Sequence, residues 1–143
     1  MSGERYPLLW IGQVAVVTLP TEIDVTNADT VREDLLSAVN QGAVLLVADM
    51  SKTTFCDSAG VSALVRTFRR ATASSSGLRL VVSTPAVQRV LSITGVDRLL
   101  DIFPSVAASM AGPYGLSGQA IRPGGPQTES ATAKADTDGG GTN

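Results

Sequence analysis

Histidine is absent from the chain, and that absence removes a large share of protein chemistry. Imidazole is the commonest general base near neutral pH and the commonest metal ligand. Cysteine occurs once, at Cys56, so no intrachain disulfide can form, which fits a reducing compartment. No transition-metal or redox cofactor is expected of such a chain. No run reaches the roughly 18 apolar residues that a membrane span needs, so membrane insertion is not expected. Met1 to Pro7 carries Glu4 and lacks the basic-then-apolar layout of a secretory signal, and a cytoplasmic location is expected. A strong charge of one sign is lacking too. A net charge of −2 over 143 residues gives no electrostatic reason to expect a nucleic-acid partner. Gly12 belongs to no GxGxxG, and no Walker-type glycine loop occurs.

What is present falls into two parts. Residues 1–111 carry nearly all the apolar periodicity and suffice for one domain. Residues 112–143 are rich in Gly, Pro, Ser and Thr, and cannot bury enough apolar surface to offset their ordering entropy. A disordered tail is expected there. Within the first part, Leu8 to Ile11 and Val14 to Leu19 read as strands joined by a Gly12-Gln13 turn. Ala28, Val31, Leu35, Ala38 and Val39 repeat at helical spacing, with Thr26 or Asn27 available as a cap and Gly42 at the end. Ala43 to Ala48 is a near-continuous apolar run, the pattern of a strand covered on both faces.

A second helix begins near Ser58. Val61, Leu64, Val65, Phe68 and Ala71 form its buried stripe, and Ser62, Arg66, Arg69 and Arg70 an adjoining polar arc. Leu78 to Val82 reads as a strand, Pro85 to Gly95 as a third helix with proline in its first turn, and Asp101 to Phe103 as a short strand. Ser105 to Met110 reads as a last short helix. The order is β-β-α-β-α-β-α-β-α: an α/β domain whose mixed, mostly parallel sheet of about five strands packs against about four helices.

The segment Thr53-Thr54-Phe55-Cys56-Asp57-Ser58-Ala59-Gly60 follows a strand and opens a helix. Ser58 is expected at or near the N-cap, with its hydroxyl on an orphan backbone N–H and Asp57 beside the positive end of the helix dipole. Ala59 and Gly60 leave the helix start bare, open to a close-fitting backbone or phosphate. The plainer alternative is that Asp57 and Ser58 only cap a helix. A nucleophilic serine needs a base, and with no histidine and only Lys52 in the domain an enzyme is not expected. Glu22, Ile23 and Asp24 lie in a strand-to-helix loop, of the kind that gathers at the carboxyl ends of parallel strands where partners bind. They could share a surface with Ser58, or form a solvated acidic loop in which Asp24 or Thr26 caps the helix. Cys56 is expected to be a small buried residue and not a redox thiol. The arginine group reads as a solvated face or as a dock for an acidic partner. Trp10 and Phe68 read as core or sheet-face residues.

Three stretches together resemble the STAS-domain anti-sigma factor antagonists of bacteria. One is Glu22-Ile23-Asp24. Another runs from Ala48-Asp49-Met50-Ser51 through Phe55-Cys56-Asp57-Ser58-Ala59-Gly60, similar to the family's Asp-Ser-x-Gly motif. The last is Thr84-Pro85-Ala86-Val87-Gln88-Arg89-Val90-Leu91 through Thr94-Gly95-Val96. Loop 20–22 reads Pro-Thr-Glu where many members have a glycine before the acidic residue. The resemblance implies a partner switch in transcription regulation, of the kind used in stress responses. The antagonist binds an anti-sigma factor, usually also a serine kinase, and so frees the sigma factor. Phosphorylation at Ser58 breaks that complex and a phosphatase restores it. It implies Asp57, Ala59 and Gly60 as support for the phosphorylation site, and Glu22, Ile23, Asp24, Ser62 and Arg66 as partner-binding residues. The competing reading is a non-phosphorylated scaffold subunit of a transport or stress-signalling complex.

Overall fold

The computed structural model describes residues 6–111. Residues 1–5 and the expected tail, 112–143, lie outside the described residues. The chain opens with β1 (Leu8–Ile11) and β2 (Val14–Thr18), an antiparallel hairpin turned at Gly12, whose φ is +61°. A glycine with positive φ at the first position of a two-residue loop matches the right-handed twist of the strands it joins. A two-residue strand β3 (Glu22–Ile23) leads into α1 (Ala28–Asn40). Then come β4 (Leu45–Met50), another two-residue strand β5 (Phe55–Cys56) and α2 (Ser58–Ala73). β6 (Gly77–Val82), α3 (Pro85–Thr94), α4 (Val96–Leu99), β7 (Asp101–Phe103) and α5 (Val106–Met110) complete it.

The main sheet has five strands in the order β1-β2-β4-β6-β7, antiparallel at the first pair and parallel thereafter. This is the mixed, mostly parallel sheet expected from the sequence. Its strands alternate faces. Ala15, Val17, Leu46, Ala48, Leu80 and Val82 point to one side and join the stripes of α1, α2 and α3 in a single core. The predicted α1 stripe is buried in full, and Leu64 and Ala71 anchor α2 while Val61, Val65 and Phe68 pack at its margin. On the other face, Arg79 crosses the sheet with its guanidinium 5.3 Å from the centre of the Phe103 ring. Its Nη1 donates to the Ser109 carbonyl, which ties α5 to that face.

Several expectations need correction. The strand expected over Ala43 to Ala48, β4, runs Leu45–Met50, because pairing with β6 continues past the apolar run through Asp49 opposite Val81 and Met50 opposite Val82. β2 ends at Thr18. Among the described residues five helices stand where about four were expected, since Val96–Leu99 forms a turn of its own after Gly95 reverses the chain at φ +85°. Neither β3 nor β5 was anticipated; they pair with each other, in parallel, as a separate two-stranded sheet.

Candidate functional site

That small sheet builds the site. Glu22 stands level with Phe55, and Ile23 with Cys56. One residue further, the Asp57 N–H donates to the Ile23 carbonyl at 3.1 Å. The loop after β2 and the segment that opens α2 are thereby locked side by side. Two threonines brace the pair from beneath. Thr53, fully buried, donates its hydroxyl to the Pro20 carbonyl at 2.8 Å, and Thr84 donates its own to the Thr53 carbonyl at 2.9 Å. Three loops at the carboxyl end of the main sheet are thus hydrogen-bonded into one platform.

The cap of α2 is Asp57, not Ser58. Asp57 has extended backbone angles (φ −98°, ψ −170°), and its Oδ1 accepts from the N–H groups of Ala59 (2.9 Å) and Gly60 (3.2 Å). The hydroxyl expected to cap the helix is therefore released from that duty. Ser58 occupies the first helical position, exposed, and its Oγ has no hydrogen-bond partner among the described residues. The reason is geometric. The bond from the Asp57 N–H to Ile23 fixes the direction from which the chain reaches the helix, and that places the Asp57 carboxylate over the N–H groups.

Gly60 is bare for an internal reason and not to admit a partner. It is buried, and a Cβ built there would lie 2.6 Å from Cys56 Sγ and 2.8 Å from Ile23 Cγ2. Ile23 is fully buried as well, so it supports the platform from within and is not a contact residue. Cys56 is buried as expected. Burial, and then the nearby Asp57 carboxylate, push its thiol from an ordinary 9.0 up to about 11. A reactive thiolate is excluded by that environment near neutral pH.

Asp24 and Glu22 lie exposed or partly exposed on the rim. The hydroxyl and N–H of Thr26 both donate to Asp24 Oδ1 and hold its carboxyl below the usual carboxylate value. Neither Asp24 nor Thr26 caps α1. Asn27 takes the cap position without a side-chain cap bond; its Nδ2 reaches back to the Glu22 carbonyl at 2.8 Å, and its Oδ1 accepts from the Asp24 N–H at 3.0 Å. The loop is thereby closed on itself, with Asp24 and Asp57 each one residue past the β3–β5 pairs.

On α2, Ser58, Ser62 and Arg66 are all exposed at intervals of four, hence on one line down the helix, with Arg69 beside it. The structure brings Glu22, Asp24 and Ser58 to the carboxyl end of the main sheet, while Ser62 and Arg66 follow one and two turns further along the exposed line of α2. Sequence reasoning missed two members of this surface. Phe55 is 50% exposed on β5 and Val25 is 76% exposed in the loop before α1. Large apolar side chains presented to solvent beside a free hydroxyl are the usual makings of a protein contact. Among the described residues no cluster of His, Cys, Asp and Glu could hold a metal ion, and no helix is long and apolar enough to cross a membrane.

The sequence matches the STAS domain family over residues 9–109. It is 31% identical over 86 residues to the anti-sigma-B factor antagonist of Bacillus subtilis (strain 168), an alignment spanning 60% of this chain and 78% of that protein. Among solved structures, a putative anti-sigma factor antagonist from Thermotoga maritima superposes with a TM-score of 0.67 at 22% identity, covering 73% of this chain and 91% of that one. The Bacillus cell fate determinant SpoIIAA in its phosphorylated form superposes with a TM-score of 0.57 at 21% identity, covering 73% and 96%. The two structures share the fold with this chain.

Proposed function

The chain belongs to the STAS-domain family, and from that premise we propose that it is an anti-sigma factor antagonist switched by phosphorylation of Ser58. The observation that carries the reading is the free hydroxyl: an exposed serine at the first position of α2, relieved of capping by Asp57. The relative at 31% identity is named for antagonising an anti-sigma factor, and SpoIIAA is described in a phosphorylated form.

The chain acts as a regulator and not as a catalyst. It holds no histidine to activate Ser58, so the base and the phosphoryl donor come from its partner, an anti-sigma factor that is itself a serine kinase using a nucleoside triphosphate. Ser58 Oγ gains the terminal phosphoryl group, the diphosphate leaves, and the hydroxyl proton passes to a base on the kinase. A phosphatase hydrolyses the phosphoserine, water attacking phosphorus and inorganic phosphate leaving, and so restores the hydroxyl. The proposed setting is the cytosol. Glu22, Asp24, Ser62 and Arg66, with Phe55 and Val25, form the face that meets the partner. Asp57 and the backbone of Ala59 and Gly60 hold the serine in place.

The electrostatics of the helix start explain why the switch would act on binding. A phosphate adds about −1.5 to −2 charges. A helix N-terminus normally welcomes an anion, but here the Ala59 and Gly60 N–H groups are already taken by Asp57. The dianion would stand beside the Asp57 carboxylate, near Asp24, and project outward. An interface closing over it would bury an unpaired charge at a cost of several kcal/mol. Since about 1.4 kcal/mol is tenfold in affinity, the complex is expected to weaken about a hundredfold or more.

The test is the calorimetric affinity of the unmodified chain, Ser58→Asp and Ser58→Ala for the cognate anti-sigma factor. The acidic variant should remain folded and bind at least about a hundredfold more weakly. Ser58→Ala should bind normally and resist inactivation by the kinase with ATP. Equal affinity of Ser58→Asp and the unmodified chain would replace the switch with the scaffold reading.

A further inference from the structure

β1 is an open edge of the main sheet, with no strand paired to its outer side among the described residues. Its hydrogen-bond phase follows from the hairpin. Residues flanking a two-residue turn exchange backbone hydrogen bonds, which here are Ile11 and Val14. At the other end, the Thr18 N–H donates to the Pro7 carbonyl at 2.9 Å, which agrees with that phase. Leu9 and Ile11 therefore turn their backbone groups toward β2. Leu8 and Trp10 turn theirs outward, presenting two N–H donors and two carbonyl acceptors along the edge.

The side chains are as unusual as the edge. Leu8 is 42% exposed, Leu9 57% and Trp10 37%. Exposed edges normally carry a lysine, an inward charge or a bulge that blocks further pairing. From Pro7 to Gln13 there is no charged residue, and the pairing with β2 is regular.

We propose that β1 pairs with β1 of a second copy of this chain, antiparallel about a two-fold axis at Leu9. The occupant follows from self-complementarity. With the axis at Leu9, Leu8 of one copy faces Trp10 of the other, and all outward N–H and carbonyl groups on both strands are satisfied at once. An antiparallel two-fold contact uses the same patch on each copy. The uncharged strand meets its own uncharged equivalent without repulsion. On the helix-covered face, Leu8 packs beside the facing Trp10; on the opposite face, Leu9 meets Leu9. The strand is only four residues long, so the contact is small and the dimer weak, with a dissociation constant of about 1–100 μM. The partner-binding end of the sheet stays free, so this inference is independent of the phosphorylation switch.

Sedimentation equilibrium of the full chain across a hundredfold range of concentration, about 1 to 100 μM, tests it. Monomer and dimer should exchange. Leu9→Lys places two ammonium groups together at the axis and should raise the dissociation constant at least about tenfold. Trp10→Pro removes one outward N–H while leaving the bonds to β2 intact, and should do the same. Amide exchange in the unmodified chain gives a readout that does not depend on any variant folding. The Leu8 and Trp10 amides should exchange more slowly as concentration rises, while those of Leu9 and Ile11 stay constant. A chain monomeric throughout the range would overturn the proposal. So would a dimer indifferent to Leu9→Lys, or Leu8 and Trp10 amides whose exchange ignores concentration.

Discussion

The Asp57 N–H is hydrogen-bonded to the Ile23 carbonyl at 3.1 Å, and this bond assigns the roles of the two residues that could have capped α2. It directs the chain so that the Asp57 carboxylate covers the Ala59 and Gly60 N–H groups, leaving the Ser58 hydroxyl to solvent. The structural task falls to Asp57, and the neighbouring hydroxyl is left free for the modification proposed above.

The cap should be separable from the serine. Asp57→Ala removes both acceptor bonds and should destabilise the domain by about 0.5–2 kcal/mol. Asp57→Asn keeps an acceptor oxygen and should recover most of the loss. Urea denaturation measures both. If Asp57→Ala melted like the unmodified chain, the Ser58 hydroxyl would have to be an equally good cap.

Gly60 should tolerate no side chain. The added methyl of Gly60→Ala would lie 2.6 Å from Cys56 Sγ and 2.8 Å from Ile23 Cγ2. Overpacking of this kind costs about 1–3 kcal/mol. Part of the cost should disappear in a Cys56→Ala background, because the sulfur is the nearest obstacle; a double-mutant cycle of denaturation free energies reads that coupling.

Cys56 links stability to alkaline pH. Its folded thiol titrates at about 11, above the ordinary 9.0, chiefly because it is buried. A raised folded value means that the stabilisation is complete below the unfolded value and is lost as pH rises through the folded one. Between about pH 9 and 11 the unmodified chain should lose about 1–3 kcal/mol more than Cys56→Ala does. At pH 7 the thiol should react with a disulfide reagent far more slowly in the native protein than in urea.

Asp24 behaves in the opposite sense. The Thr26 hydroxyl and N–H lower its folded value, so its contribution is present above the unfolded value and is lost as pH falls through the folded one. Thr26→Val should move the Asp24 titration upward, toward the ordinary 3.8, in a carboxylate NMR titration. No upward movement would mean that the hydroxyl is not what holds it down.

Phe55 and Val25 should matter for partner affinity and little for folding. Phe55→Ala should weaken binding to the anti-sigma factor at least about tenfold, in the range of a buried aromatic anchor. Val25→Ala should have a smaller effect. Both should melt close to the unmodified chain, because the side chains stand in solvent.

The long elements were legible in the sequence because each carries many repeats of one signal. The buried positions of α1 from Ala28 to Val39, the apolar runs of β2, β4 and β6, and the reversal at Gly95 each follow from periodicity or from a glycine with positive φ. The Asp57-Ser58 pair was legible as the opening of a helix in the same way. What the sequence could not decide was what depends on contacts far apart along the chain. Two-residue strands have no period to read, and β3 and β5 meet through contacts distant in sequence, with Ile23 packed against Gly60. Asp and Ser cap helices about equally well, so the choice between them fell to a backbone bond spanning 34 residues, from Asp57 to Ile23. Whether Phe55, Val25 and Leu9 lie inside or outside is likewise set by the layers that surround them, and only the folded chain shows those three apolar residues facing water.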